Sequence, residues 1–229
     1  FKNRNIIFAS QYNQISRHEK FNFESIEESV LKLYLSFNYI PSPFGILKNT
    51  YSINPGEILR FDKNGKRFSK TYWDFPEYSN DCIISDSEID YVEEHIESAV
   101  KAQLISDVPL GSFLSGGVDS PLVSYFAKKN SSGDFNTYCM GSDSYKHDES
   151  LAASKFAESL GTIHHNCYMN SKNSLEALEK SILAAGEPFG DFSIIPTWQI
   201  SKMAKEKVKV ILSGDGGDEL FFGYERFKS

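Results

Sequence analysis

The 229-residue chain carries 24 lysines and arginines against 31 aspartates and glutamates, a formal charge of −7. That acidity, with a sequence pI near 5.3, excludes non-specific binding to nucleic-acid phosphates, and no apolar run is long enough to span a membrane. Cys82, Cys139 and Cys167 are odd in number and too scattered for a zinc motif or a disulfide framework, which points to a reducing cytoplasm. In chain order, Asn5 to Ser10 is expected to form a short strand. Ile26, Val30, Leu33 and Tyr34 recur at helical spacing up to the Pro41-Ser42-Pro43 break. Asn54-Pro55-Gly56 marks a turn between Tyr51–Ile53 and Glu57–Asp62, and Asn64-Gly65 a tight hairpin turn ahead of Arg67 to Trp73.

Pro76 to Asp86 is polar and punctuated and makes a domain boundary. Ser85 with Glu88 fits a capping box, and Ile89, Val92, Ile96, Val100 and Leu104 follow as one apolar stripe. From Ser106 onward strand and helix patterns alternate. Strands are expected at Val108–Leu114, Phe135–Gly141, Thr162–Met169 and Val208–Leu212. Helices are expected from Ser120 or Pro121 to Lys129, and at Glu149–Leu160, Leu175–Ala185 and Ile194–Lys205. Such alternation predicts an α/β fold, a parallel sheet with helices on both faces, whose ligands bind beyond the C-terminal ends of the strands.

Ser115-Gly116-Gly117-Val118-Asp119-Ser120 falls at one of those ends. A small-residue loop between a strand and a helix aims free N–H groups and a helix N-terminus at one point, which suits a phosphate or pyrophosphate. Pro121 fits the first turn of the helix, where its missing N–H costs nothing. Asp119 would repel an anion directly but suits a magnesium ion bridging to it. By chance the pattern occurs on the order of 10⁻⁶ times per start position. It lacks the Gly-Lys-Ser/Thr of a Walker A loop and the Gly-x-Gly-x-x-Gly of a dinucleotide fold.

A second glycine loop, Ser213-Gly214-Asp215-Gly216-Gly217-Asp218-Glu219, follows the last strand and belongs at the same sheet edge. Its carboxylates suit metal binding, an amine, or a proton from attacking ammonia; a solvated turn whose acids cap the next helix is the plainer alternative. His164-His165 points to opposite faces of a strand, so a shared metal is disfavoured. His147, Asp148 and Glu149 read as a solvated loop in reach of nucleotide or magnesium. Glu187 and Asp191 read as loop residues near the site. Phe221, Phe222 and Tyr224 read as core, and Cys139, on a buried strand, as inert.

Ser115 to Ser120 resembles the pyrophosphate loop of the N-type ATP pyrophosphatases, the PP-loop superfamily. Val208 to Tyr224 resembles the second nucleotide loop of the glutamine-hydrolysing asparagine synthetases. Asp148-Glu149-Ser150 through His165, Glu187 to Asp191 and Ile195-Pro196-Thr197 also fit that family, so the resemblance covers nearly the whole chain. It implies an adenine-nucleotide α-hydrolase-like α/β domain over residues 77–229, preceded over residues 1–76 by a small α+β tail of a class II glutaminase domain and its bridge. The ends Phe1-Lys2 and Lys228-Ser229 are then expected to be cuts within a longer protein. The implied activity is a ligase of asparagine biosynthesis: adenylation of a carboxylate with ATP and Mg²⁺, pyrophosphate release, and amide formation with ammonia from a glutaminase domain.

By the same resemblance Ser115, Gly116, Gly117, Asp119 and Ser120 grip pyrophosphate, with Asp119 as the metal ligand. Leu114 and Met140 line the adenine site through backbone contacts, and Ser213 and Gly214 touch the nucleotide. Asp215 and Asp218 are the catalytic candidates. Asp215 stands where the family typically has a glutamate, so the acceptor, aspartate by default, is left open. A homodimer is compatible with the family. The rival readings are another PP-loop adenylating ligase, acting on a sugar acid, a β-lactam precursor, a nucleotide or tRNA, and a non-catalytic nucleotide-binding fragment.

Overall fold

A computed structural model describes residues 6–19, 25–77, 86–142, 148–169 and 171–227. Contacts between residues divide the chain into one unit of Phe1–Asp81 with Leu178–Ile194 and another of Cys82–Ala177 with Ile195–Ser229.

In the first unit, α1 (Tyr12–Ser16) and α2 (Glu28–Phe37) precede an antiparallel hairpin of β1 (Glu57–Phe61) and β2 (Arg67–Thr71). The predicted helix ends at Asn38, ahead of the proline break, because Asn38 takes a left-handed conformation (φ 64°) and returns its N–H to the Tyr34 carbonyl. Ile26 lies outside that helix and bridges Leu47 instead. Both predicted turns are present: Glu57 N–H closes on the Asn54 carbonyl, and Gly65 (φ 79°) turns the hairpin while Asp62 Oδ1 accepts the N–H groups of Asn64 and Lys66. The strand expected at Asn5–Ser10 is not formed over its described residues, 6–10. No described strand pairs with it, and Phe8 lies 86% exposed, so neither its backbone nor its side chain gains by extension. Among the described residues of this unit only Val30 and Ile46 are fully buried hydrophobics, and an apolar cleft of about 440 Å³ opens among Ile15, Pro43, Tyr51, Ile53, Leu59 and Phe61.

The second unit begins with α3 (Asp86–Gln103). Ile96, Val100 and Leu104 of the predicted stripe pack in the core, whereas Ile89 and Val92 are exposed. The proposed capping box involves Ser85, outside the described residues. Next come β3 (Leu110–Phe113), α4 (Asp119–Lys129), β4 (Asn136–Ser142), α5 (Ser150–Leu160) and β5 (Ile163–Met169). Two helices, α6 (Ser171–Ala185) and α7 (Ile194–Ala204), cross the division between units, and β6 (Val210–Leu212) and the short α8 (Gly217–Phe221) complete the order. The sheet is wholly parallel, in the order β5-β4-β3-β6.

Alternation along the strands sorts the core into two faces. Leu110 and Leu212 pack with Val100, Phe126, Ala127 and Phe135 of the α3 and α4 layer, and Cys139 packs with Leu114 against Ala153 and Ala157 of α5. Phe113, Tyr138, Met140 and Ile211 face the other way, towards Ile200 and Ala204 of α7. The architecture is the predicted one, a parallel sheet with helices on both faces. From β3 the chain steps one way to β4 and β5, while β6 pairs on the opposite side. The crevice between the ends of β3 and β6 is therefore the topological switch point, where such sheets bind ligands.

Candidate functional site

The loop after β3 is held from below before it is shaped from within. A buried hydrogen bond of 2.7 Å between the Ser112 and Ser124 hydroxyls ties β3 to α4. Leu114, only 2% exposed, donates its N–H to the Tyr138 carbonyl at 2.8 Å. Beyond it the loop uses its own hydroxyls. Ser120 Oγ accepts the Ser115 N–H at 2.8 Å and lies 2.8 Å from Ser115 Oγ, which accepts the Gly117 N–H at 3.2 Å. The Gly116 N–H donates to Glu149 Oε2 at 3.0 Å. Helix α4 starts at Asp119, one residue ahead of the predicted start, with Val118 as an N-cap that offers no side-chain acceptor. As in any helix, the first-turn N–H groups, here those of Asp119 and Ser120, have no intrahelical partner, and Pro121 has none to satisfy.

The second loop leaves β6 and turns through Gly216, whose φ of 93° favours glycine, into α8. Ser213 Oγ donates to Asp215 Oδ2 at 2.9 Å, so the Asp215 carboxylate folds back along its own loop. Asp218 and Glu219 stand in the first turn of α8, whose N-cap is Gly216 with no side-chain cap bond, and Glu219 Oε1 accepts the Tyr224 hydroxyl at 2.8 Å.

The two loops meet. A Cβ added to Gly214 would stand 2.8 Å from the Ser120 nitrogen and 3.0 Å from Asp119 Cβ; one added to Gly217 would stand 2.5 Å from both Cγ and Oδ2 of Asp119. These glycines are required by close approach: the second loop lies across the N-terminus of α4, and Asp119 lodges against it. Desolvation, then the charges of Asp218 and Glu219, push the Asp119 carboxyl above the ordinary carboxylate range. A half-buried carboxylate crowded by two others fits a hard divalent cation, whose charge removes that repulsion. No group of three or more His, Cys, Asp or Glu arranged to hold a metal occurs among the described residues. The donor set fits Mg²⁺, which typically takes one or two carboxylates and completes its shell with phosphate oxygens and water.

The structure thus brings together Ser115, Gly116, Gly117, Asp119, Ser120 and Gly214, with Ser213, Asp215 and Asp218 in the adjoining loop. Leu114 and Met140 face opposite sides of the sheet, so at most their main chains reach the strand ends together. Two contributors were missed. Gly217 seats Asp119, and Glu149 is exposed, as the solvated reading expected, yet also reaches the first loop; its position after β4, at the same sheet edge, was the available signal. His147 lies outside the described residues. Asp148 Oδ1 accepts the N–H groups of Ser142 and Ser150 at 3.3 and 3.1 Å, which fastens the start of α5; the Ser150 hydroxyl first, then these N–H groups, hold its carboxyl below the usual range. Asp191 belongs to the other unit and accepts the Ser193 N–H at 2.8 Å; Glu187 belongs there too.

His164 bonds to Thr137 and Asn166, and His165 bonds to Asn136 while stacking on Tyr138, the structural roles expected of alternating faces. Burial lowers both imidazole pKa values. Cys139 is buried and its thiol is pushed up to about 12, which leaves it inert. The core role expected of Phe221 and Phe222 is not seen: they are 57% and 68% exposed, because α8 is a five-residue helix with no buried face.

A parallel α/β sheet with two glycine loops converging at its switch point defines a protein built to bind a ligand at its strand ends. The family model described as asparagine synthase matches residues 91–229. This chain belongs to the asparagine synthase family. It is 35% identical over 223 residues to a glutamine-hydrolysing asparagine synthetase homologue of Methanocaldococcus jannaschii, covering 95% of this chain and 42% of that protein. With asparagine synthetase (glutamine-hydrolysing) 1 of Bacillus subtilis the identity is 29% over 228 residues, 99% of this chain and 35% of the relative. The chain therefore spans less than half the length of either relative. A solved ammonia-dependent NAD synthetase from Campylobacter jejuni overlaps 59% of this chain and 60% of its own, at 17% identity and a TM-score of 0.42.

Proposed function

We propose that this chain carries the ATP-binding, carboxylate-activating part of a glutamine-hydrolysing amidotransferase of the asparagine synthetase type, working in the cytoplasm. Residues 1–76 are read as the tail of its glutaminase domain and the bridge, and residues 77–229 as part of the adenylating domain. The observation that carries the reading is the meeting of the two loops on Asp119: N–H donors and hydroxyls on one side, carboxylates on the other, at the switch point of a parallel sheet.

The chemistry divides along that line. Ser115, Ser120 and the main chain of the first loop bind the β and γ phosphates of ATP, and the close seat of Gly214 against the Ser120 nitrogen sets the second loop beside them. Ser213 and the main chain at Leu114 and Met140 serve the nucleoside. Magnesium, held by Asp119 when bound, supplies charge neutralisation on the departing pyrophosphate. The acceptor carboxylate, that of an aspartate side chain by default, attacks the α phosphate, and its carbonyl carbon becomes electrophilic once AMP is the leaving group. Ammonia from the glutaminase side then displaces AMP, with Asp218 positioned to orient the amine or take its proton. No covalent bond to the protein is needed. Asp215 favours a second reading within the same chemistry: its short carboxylate, held by Ser213, leaves space for an acceptor other than aspartate.

Calorimetric titration with ATP and Mg²⁺ tests the binding claim, and a silent titration removes it. Pyrophosphate release with ammonium, screened across aspartate, sugar acids and β-amino acids, identifies the acceptor.

A further inference from the structure

We propose that Glu149 is a positioning residue for the phosphate loop: its carboxylate fixes the Gly116 peptide and so the path of the loop from Ser115 to Asp119 around the polyphosphate. The inference rests on the nucleotide reading above and assigns a residue to it that lies outside both glycine loops. Three loop N–H groups are spoken for inside the chain. Those of Ser115 and Gly117 go to hydroxyls of the loop itself, whereas that of Gly116 goes to Glu149 Oε2 at 3.0 Å, the support that comes from another element.

The support is rigid at its base. Asp148 Oδ1 holds the Ser150 N–H at 3.1 Å, and Ala153 and Ala157 of α5 are buried against Leu114 and Cys139. Glu149 therefore issues from a fixed point, with helical backbone angles (φ −91°, ψ −1°). Packing agrees with the hydrogen bond. A Cβ on Gly116 would meet Ala152 Cβ at 3.0 Å and Glu149 Cβ at 3.3 Å, so the Gly116 peptide lies directly on the first turn of α5. A carboxylate placed on a loop that receives phosphate is electrostatically unfavourable in isolation. Its use is geometric: by holding the Gly116 N–H it fixes the plane of the Ser115–Gly116 peptide within the loop.

The test compares Glu149→Ala, which removes the acceptor, with Glu149→Gln, whose amide oxygen accepts the same N–H, using this chain and calorimetry with ATP·Mg and with AMP. The expected result is an affinity for ATP·Mg about tenfold lower in Glu149→Ala, within about threefold of wild type in Glu149→Gln, and AMP affinity moved less than ATP affinity. Glu158→Ala, a loss of charge elsewhere on α5, serves as the control and should leave binding unchanged. Equal loss of ATP and AMP affinity would reduce Glu149 to a structural residue. Unchanged binding in Glu149→Ala, or tighter binding in both variants, would overturn the proposal and in the second case make Glu149 a competing anion. If wild type binds neither ATP·Mg nor pyrophosphate, the function proposed above falls and this inference falls with it; if wild type binds and only the Glu149 pattern fails, the function stands.

Discussion

The loops after β3 and β6 occupy neighbouring strand ends yet solve opposite problems. Ser115 to Ser120 must hold N–H groups in place, and it does so with two hydroxyls that bond to each other and to the loop backbone. Ser213 to Glu219 must bring carboxylates up to the same crevice, and it does so with glycines that let another loop approach. The difference shows most clearly in Asp119. By sequence it belongs to the donor loop, but desolvation, and then the charges of Asp218 and Glu219 in the acidic loop, raise its carboxyl pKa. Asp119 is therefore shared by the two loops.

The contrast breaks first at Gly217. Alanine there would place a Cβ 2.5 Å from the Asp119 carboxyl group, so Asp119 or the second loop must shift. Gly217→Ala should lower ATP·Mg affinity by about a hundredfold with the circular dichroism spectrum retained. Wild-type affinity in this variant would show that the loops do not share Asp119.

Asp119→Asn is the next largest, with magnesium-dependent affinity falling about tenfold or more while binding measured without the metal changes little. Stability should move the other way. A carboxyl whose folded pKa is raised costs stability as it ionises, from the ordinary unfolded carboxylate pKa up through the higher folded value. In the metal-free protein Asp119→Asn should therefore melt higher than wild type at neutral pH, with the advantage vanishing below the unfolded pKa. Thermal scans between pH 3 and 8 measure this, and an advantage that grows towards low pH would contradict the assignment.

Ser120→Ala should act within the donor loop, lowering ATP·Mg affinity about fivefold and the melting temperature by about 2–4 °C, since a buried hydroxyl with two partners is lost. Asp215→Glu should be smallest for the nucleotide, within about twofold, while changing the preferred carboxylate in a pyrophosphate-release screen. A large loss of ATP affinity would instead place Asp215 on the nucleotide.

Much of this was legible in the sequence because the second unit obeys local rules. Its strand and helix patterns alternate and the glycine loops fall between them, so the parallel sheet and the crevice follow from the order of the elements. What was not legible depended on contacts distant in the chain. Gly217 and Glu149 matter through what they touch across the sheet edge, and nothing in a single loop reports a neighbour 33 or 98 positions away (Gly116 to Glu149, Asp119 to Gly217). In the first unit, residues 6–10 have strand composition without a strand partner among the described residues, and composition alone cannot supply one. The outward-facing Phe221 and Phe222 misled for a related reason: hydrophobicity predicts burial only where an element lies above to provide it.

The pairing of β3 with β6 also fixes when the site can exist. Leu110 and Val210 are partners 100 positions apart, and between them the chain must build two strands and four helices. Pairings of that range form slowly, since a long loop must be closed before any contact rewards it. On a ribosome adding about 5–20 residues per second, the serine loop would wait roughly 5–20 s for the acidic loop to emerge. Until then the β6-facing edge of β3 is open beside an incomplete crevice, and an open strand edge invites misassembly. A nucleotide bridging the two loops would stabilise the completed sheet over that intermediate, so ATP·Mg should raise refolding yield as well as the melting temperature.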